Sequence, residues 1–183
     1  MKKAVLFLAT GFEETEAVGT IDVLRRGEIE TLIVSITGEY TVEGAHGIGL
    51  LADSLLEETD FSEVDALVLP GGMPGSSNLN SCGPLKDLLA RHSNKGKLVA
   101  AICAAPLVLG GLGLVKGRRA TCYPGFEPNL AGAILTDAPA VTDGNIITGK
   151  GPGLVFDFGL SIVEYLGGKK IASEVAGGLL LKR

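Results

Sequence analysis

Short, nearly continuous apolar runs alternate with helical patterns along the chain. The apolar runs predict strands at Ala4–Ala9, Thr31–Ile36, Val64–Leu69, Leu98–Ile102 and Ile146–Thr148, with a shorter one at Ala120–Cys122. Helical spacing predicts helices at Glu14–Arg26, Leu85–Arg91, Leu154–Leu166 and Lys170–Ala176, and another that begins at Pro106. The segment Thr41–Leu51 is predicted to be a hairpin or loop excursion. Apolar strands separated by helices predict an α/β fold with a mostly parallel sheet covered on both faces.

Length and charge narrow the class of protein. The 183 residues predict a single domain over positions 1–183. The net charge is −5, and basic residues are scattered, so no nucleic-acid surface is expected. No apolar run approaches the roughly 20 residues of a membrane span. The short apolar start is followed by Glu13 and Glu14, which favours a buried strand over a signal peptide.

The cysteines and histidines are few. Three cysteines do not form a disulfide framework, and with two histidines at unsuitable spacings no zinc or other metal is expected. The set suits a reducing cytoplasm.

Polar and glycine-rich segments follow several predicted strands. In a parallel sheet, ligands bind outside the carboxyl ends of the strands, so these segments are expected to gather at one edge. That edge would carry a thiol, carboxylates, a phenol and two glycine-rich loops. The segments are Thr10–Glu16, Pro70–Gly75, Cys103–Pro106, Tyr123–Gly125 and Gly149–Gly153.

Cys103 has the surroundings of a nucleophile on a tight strand-to-helix turn. Small residues flank it, as in a nucleophile elbow, and Pro106 can occupy the first helical turn. A helix N-terminus near the sulfur would stabilise the thiolate and lower the thiol pKa. The local pattern is equally compatible with a small buried apolar residue.

The neighbouring segments admit two interpretations. Glu13 and Glu14 are expected to be ordinary acidic residues of a helix start. Gly71-Gly72 and Gly149–Gly153 are either tight turns or donors of backbone N–H groups to an oxyanion. None of the glycine-rich segments has the spacing of a phosphate loop.

Together these segments resemble the ThiJ/PfpI superfamily, in the branch of the Parkinson-associated protein deglycase and its bacterial relatives. The resemblance covers nearly the whole chain. It rests on Gly11–Glu16, Ile21–Arg26, Val68–Gly72, Ala100–Pro106, Gly151–Gly153 and Phe156–Phe158.

The resemblance implies a flavodoxin-like three-layer sandwich and a set of site residues. The family nucleophile matches Cys103, and its carboxyl partner, which shuttles a proton, matches Glu16. The backbone oxyanion donors match Gly72 and Ala104.

The resemblance also implies a homodimer whose interface borders the site, with Asp22 and Arg26 at the interface. Two pocket positions depart from the best-known member: a histidine there is Tyr123 here, and an arginine aligns with His46. The family's peptidases use a Cys–His pair. Because no histidine follows His92, peptidase activity of that kind is not expected.

The function implied by the resemblance is a cofactor-independent, cysteine-dependent enzyme. Its substrate would be a reactive dicarbonyl such as methylglyoxal, or an early glycation adduct on a protein, as for a glyoxalase III or a deglycase. An alternative is a redox-sensing stress protein or chaperone whose Cys103 oxidises to sulfinic acid. Thiamine-precursor metabolism ranks lower, since no residue indicates a thiazole or phosphate substrate. A small-molecule-binding domain with an inert cysteine is the remaining alternative.

Overall fold

The computed structural model describes residues 1–181 and shows an α/β fold; the last two residues of the predicted 1–183 domain lie outside the described residues. The strands are β1 (Lys3–Leu8), β2 (Glu30–Ser35), β3 (Thr41–Glu43), β4 (Gly49–Leu51), β5 (Ser54–Leu55), β6 (Ala66–Leu69), β7 (Leu98–Ile102), β8 (Arg119–Ala120), β9 (Ile134–Leu135), β10 (Ala140–Asp143) and β11 (Ile146–Gly149). The helices are α1 (Glu14–Arg26), α2 (Gly75–Ser81), α3 (Gly83–Asn94), α4 (Pro106–Gly111), α5 (Val155–Gly167) and α6 (Lys169–Gly178).

Seven strands form the central sheet, in the order β10-β11-β7-β6-β1-β2-β5. Every neighbouring pair is parallel except β10 and β11. At the centre, Ala4 of β1 is in register with Thr31 of β2 and with Ala66 of β6. The chain leaves β1 towards β2 and later returns to place β6 on the other side of β1. The reversal opens a crevice at the carboxyl ends of β1 and β6, where such folds bind ligands.

Both faces of the sheet are covered, which gives three layers. Alternate residues of β1 point to opposite faces, as in any strand. Leu6 and Leu8 pack in a core with α1, α5 and α6, whereas Val5 and Phe7 pack in a second core with α2, α3 and α4. The predicted flavodoxin-like sandwich is confirmed.

The main errors of the sequence prediction lie in short elements. The short strand predicted at Ala120–Cys122 spans Arg119–Ala120 instead and pairs with Ile134–Leu135 in a separate two-stranded sheet. The antiparallel edge strand Ala140–Asp143 and the helix Gly75–Ser81 were not predicted. These elements are short and have no clear apolar periodicity. The excursion at Thr41–Leu51 is a hairpin, one of its two predicted forms.

The helices of residues 1–181 are moderate in length. None of them is both long enough and apolar enough to cross a membrane.

Candidate active site

Cys103 lies at the end of β7 in a left-handed backbone conformation, with φ of 66°. This conformation is uncommon for a residue with a Cβ and is found where the surrounding structure imposes it. The Cys103 N–H donates to Gly149 O at 2.9 Å, and its carbonyl accepts from Tyr123 N at 2.8 Å. Pro106 follows in the first turn of α4, as predicted. The backbone therefore has the sharp strand-to-helix turn of a nucleophile elbow.

Glu16, in the first turn of α1, places a fully buried carboxyl group beside this turn. Its Oε2 accepts a hydrogen bond from Gly71 N at 2.7 Å. A Cβ built on Gly71 would lie 2.6 Å from Glu16 Oε2 and 2.7 Å from Cys103 Cβ. Only glycine fits at position 71, because its missing side chain is what allows the carboxyl group and the cysteine to approach each other.

The thiol and the carboxyl group control each other's protonation. Burial raises the pKa of Glu16 to about 7, although hydrogen bonds from Cys103 and Gly71 act in the opposite direction. Burial, the negative charge of Glu16 and the hydrogen bond between the two side chains raise the pKa of Cys103. Two buried groups this close do not both ionise near neutrality, so the pair keeps at least one proton, which the two side chains share above a pH of about 7.

The backbone N–H groups of Gly72 and Ala104 act on the sulfur in the predicted direction, since both lower the pKa of Cys103. The expectation of a net lowering is wrong for a thiol beside an ionised Glu16. Burial and the carboxylate charge outweigh the backbone donors there, and α4 is only six residues long. The N–H groups thus favour the thiolate only once Glu16 is neutral.

Tyr123 lies next to this turn through its backbone, and its side chain is 45% exposed. A Cβ on Gly151 would come within 3.2 Å of the Tyr123 ring, so the glycine-rich segment after β11 passes close against the phenol. Cys122, by contrast, is buried in the core that contains Leu69 and Leu109.

His46 lies in the hairpin and is joined to α1 rather than to the thiol. Its Nδ1 is 2.7 Å from Glu14 Oε2, and its N–H donates to Glu14 Oε1 at 2.6 Å. Glu14 is only 6% exposed, and its bonds to His46 anchor the hairpin to α1. The sequence interpretation, an ordinary acidic residue of a helix start, missed this role. These bonds lower the pKa of Glu14 against the effect of burial and raise the pKa of His46.

Glu13 caps α1 and positions the site. Its Oε2 accepts from Glu16 N at 2.6 Å, and its own N–H donates to Gly71 O at 2.9 Å. Ligand atoms of Glu13, Glu14 and His46 lie within 4.8 Å of one another, close enough to hold a metal ion. The Glu14 oxygens already accept from His46, so the cluster works as a hydrogen-bonded anchor. The sequence signal for Glu13 was its place just before a helix; Glu14 gave no signal of its own.

Asp22 and Arg26 form an exposed ion pair on α1, with 2.8 Å between Asp22 Oδ2 and Arg26 Nε. Val18, 48% exposed, lies one turn earlier on the same stripe of the helix. The structure therefore places the two residues predicted for a dimer interface on an open face.

A parallel α/β sandwich with a cysteine on a strand-to-helix turn and a buried carboxyl group beside it defines a class of cysteine-centred α/β proteins. Within that class, the chain belongs to the DJ-1/PfpI family, which matches residues 2–165.

Curated relatives support this assignment over nearly the whole chain. Protein DJ-1 homolog B of Arabidopsis thaliana is 42% identical over 99% of the chain, and glutathione-independent glyoxalase DJR-1.2 of Caenorhabditis elegans is 35% identical over 93%. The chain spans 42% and 47% of the lengths of the Arabidopsis homologs B and A, and 91% of the nematode protein.

Solved structures agree with the fold. The C103A mutant of the DJ-1 superfamily protein STM1931 from Salmonella typhimurium is 40% identical, with a TM-score of 0.95 and full coverage of both chains. Oxidized Toxoplasma gondii DJ-1 is 33% identical, with a TM-score of 0.96 and full coverage of both chains.

The raised pKa of Glu16 predicts a pH-dependent cost to stability. The folded protein holds this proton up to a pKa of about 7, against an ordinary value of 4.5. As pH rises from the lower value to the higher, stability is lost, by about 3 kcal/mol in total. Gln at position 16 stays neutral at every pH. We therefore expect the free energy of unfolding of Glu16→Gln, relative to that of the wild type, to be larger at about pH 8.5 than at about pH 5.

Urea unfolding at both pH values measures this difference, with Glu57→Gln on an exposed carboxylate as the matched control. Parallel pH profiles for Glu16→Gln and the wild type would contradict a strained, buried carboxyl group at position 16.

Proposed function

We propose that the protein is a cofactor-independent enzyme that converts a reactive dicarbonyl such as methylglyoxal to a hydroxy acid, with Cys103 as nucleophile. The observation that carries the proposal is the contact of a fully buried Glu16 with Cys103 across Gly71. The relative named as a glutathione-independent glyoxalase supports the same class of reaction. An early glycation adduct on a protein presents similar carbonyl chemistry and is the second substrate class for the same site.

The reactive form has the shared proton on Glu16 and the negative charge on sulfur. Glu16 Oε1 is buried and has no hydrogen-bond partner among the polar groups of residues 1–181. An ionised oxygen in that position would lose its solvation without compensation. A proton on Glu16 removes this cost because the carboxyl group is then neutral, while the N–H groups of Gly72 and Ala104 stabilise the thiolate.

The first step forms a bond between the Cys103 sulfur and the aldehyde carbon of methylglyoxal. The carbonyl electron pair moves to oxygen, which takes the Glu16 proton while Gly72 and Ala104 stabilise the developing charge. Glu16, now a carboxylate, removes the hydrogen of that carbon as a proton and returns it to the adjacent carbon through an enediol. The product is a thioester of the hydroxy acid.

Water then attacks the thioester carbon, with Glu16 as general base. The carbon–sulfur bond breaks, lactate leaves, and Cys103 regains its original charge. Methylglyoxal and water together equal lactic acid, so the cycle needs no oxidant, reductant or cofactor. Tyr123 donates a hydrogen bond to the ketone oxygen in this scheme, in place of the family histidine.

Cys103→Ser is expected to abolish turnover, because a serine hydroxyl at this position has no base strong enough to activate it. The loss should be at least about a thousandfold in kcat/KM, measured by the disappearance of methylglyoxal and the appearance of lactate.

Cys122→Ser and Cys82→Ser are the controls and are expected to stay near the wild-type rate. Turnover retained in Cys103→Ser would overturn the enzymatic proposal.

A second candidate is a redox-responsive stress protein that uses the same thiol. The backbone donors at Gly72 and Ala104 that stabilise a thiolate would equally stabilise a sulfinate at Cys103. The structurally similar Toxoplasma gondii protein has been crystallised in an oxidized form.

Mild peroxide is then expected to add two oxygens to Cys103, as read by peptide mass spectrometry. Cys82 and Cys122 serve as internal controls. Equal oxidation of the three cysteines would argue against this role.

We further propose that the protein acts as a homodimer through the open face of α1. Val18, Asp22 and Arg26 lie four residues apart along that face, and Ile48 and Leu51 of the hairpin are 57% and 69% exposed. Apolar surface beside an ion pair is typical of the centre and rim of an interface.

Val18→Glu is expected to weaken dimerisation at least tenfold, because the symmetric interface would bury two new carboxylates. Analytical ultracentrifugation measures the effect, with Ile134→Glu, on an exposed residue of β9, as the control. A monomeric wild type, or a dimer indifferent to Val18→Glu, would refute this interface.

A further inference from the structure

A basic cavity of about 340 Å³ lies at the amino-terminal edge of the sheet, the edge opposite Cys103. Its lining includes Phe61, Arg91, Lys95 and Lys97. Lys97 immediately precedes β7 and Cys103 immediately follows it, so the cavity and the thiol are about 20 Å apart along the strand. The cavity therefore lies outside the candidate active site.

Three cationic side chains line this cavity, and each has N–H donors that are not used in hydrogen bonds within residues 1–181. Arg91 and Lys95 are one turn apart at the end of α3, and their side chains make no hydrogen bond or ion pair within residues 1–181. Lys97 Nζ donates to Ser62 O at 3.0 Å and to Val64 O at 2.7 Å. An ammonium group has three donors, so Lys97 is fixed in place and keeps one donor free.

Negative charge does not balance these cations. The acidic residue of the lining is Asp60, and its oxygens accept from Ser62 N at 2.9 Å and Ser62 Oγ at 3.0 Å. Within the lining, three positive charges thus face one carboxylate; Asp65, outside the lining, is near enough to feel the charge of Lys97 but is paired with Lys2 at 2.8 Å. Basic residues commonly end a helix to complement its dipole, which accounts for Arg91 in the last turn of α3 and Lys95 at its C-cap. That effect does not account for Lys97, which lies in the loop before β7 and lines the same cavity.

The buried His92, which also lines the cavity, is affected by the positive charge of the nearby lysines. It is 4% exposed, and its Nε2 is 3.3 Å from Asp65 O. Burial lowers the pKa of His92, and the charges of Lys97 and Lys95 lower it further, whereas Asp65 acts in the opposite direction. The two ammonium groups therefore disfavour a proton on this ring.

From these contacts we infer that the cavity binds a phosphate monoester, with the phosphate among Arg91, Lys95 and Lys97 and the organic group against Phe61 and Leu88. The charge of a dianionic phosphate complements three cations better than that of a monoanion does. A guanidinium group can also bind two oxygens of one phosphate in a bidentate arrangement. The two apolar side chains give the organic part a surface that inorganic phosphate cannot use.

Phenyl phosphate is the probe, titrated into the full chain by calorimetry at low ionic strength. We expect saturable binding that weakens with added salt, and at least tenfold weaker binding of inorganic phosphate and of benzoate. Arg91→Ala with Lys95→Ala should weaken phenyl phosphate binding at least tenfold, whereas Lys86→Ala, on α3 but outside the cavity lining, should change it less than twofold.

The two histidines of the chain supply an independent readout by proton NMR. Bound phosphate neutralises the nearby cations, so the pKa of His92 should rise on saturation while that of His46, on the hairpin, stays unchanged. The rate of Cys103 alkylation should also stay unchanged. Lack of saturable binding, equal shifts of both histidines, or full affinity in the double variant would overturn the assignment. Equal affinity for inorganic phosphate and phenyl phosphate would overturn the organic part of it.

Discussion

The site depends on one short contact, in which Gly71 allows Glu16 and Cys103 to meet. No side chain fits at position 71, since its Cβ would overlap both the carboxyl oxygen and the cysteine Cβ. The meeting point is fixed from three sides: β7 presents Cys103, the first turn of α1 presents Glu16, and the end of β6 supplies the Gly71 N–H. Parallel strands whose carboxyl ends share one edge make this convergence possible.

Bringing a carboxyl group and a thiol together in a buried place turns two independent acids into one coupled pair. Desolvation opposes two charges, so the pair does not lose both protons near neutrality and holds a single proton above a pH of about 7. The backbone donors at Gly72 and Ala104 favour the charge on sulfur, and the Gly71 donor favours it on oxygen. A small balance of hydrogen bonds thus decides which atom is the base. The same hydrogen bonds would stabilise both a thiolate that attacks a carbonyl carbon and a sulfinate at the same sulfur.

The sequence predicted the structure well where the period of apolar residues and the order of strands and helices determine it. Long apolar runs identified the parallel strands β1, β6 and β7 and, through them, the edge that holds Cys103. It was silent on Glu14, because an anchoring role depends on a hairpin that returns 32 residues later to bring His46 within hydrogen-bonding distance. It also gave the wrong direction for the Cys103 pKa, because the penalty of burial depends on packing that no local motif specifies. The resemblance, and not periodicity, singled out Glu16 from its two acidic neighbours.

The charge distribution also constrains which substrate can reach the thiol. Glu13, Glu14 and Glu16 cluster at the carboxyl edge, and Glu13 raises the pKa of Glu16 further through its charge. In the proposed reaction, the charge of Glu13 would oppose an anionic substrate near Cys103, whereas a neutral dicarbonyl would not be repelled. The cations Arg91, Lys95 and Lys97 gather at the opposite edge, about 20 Å away, beyond a Debye length at physiological salt. Fields at the two edges are therefore screened from one another, so the proposed electrophile at one edge and the proposed phosphate monoester at the other would bind independently.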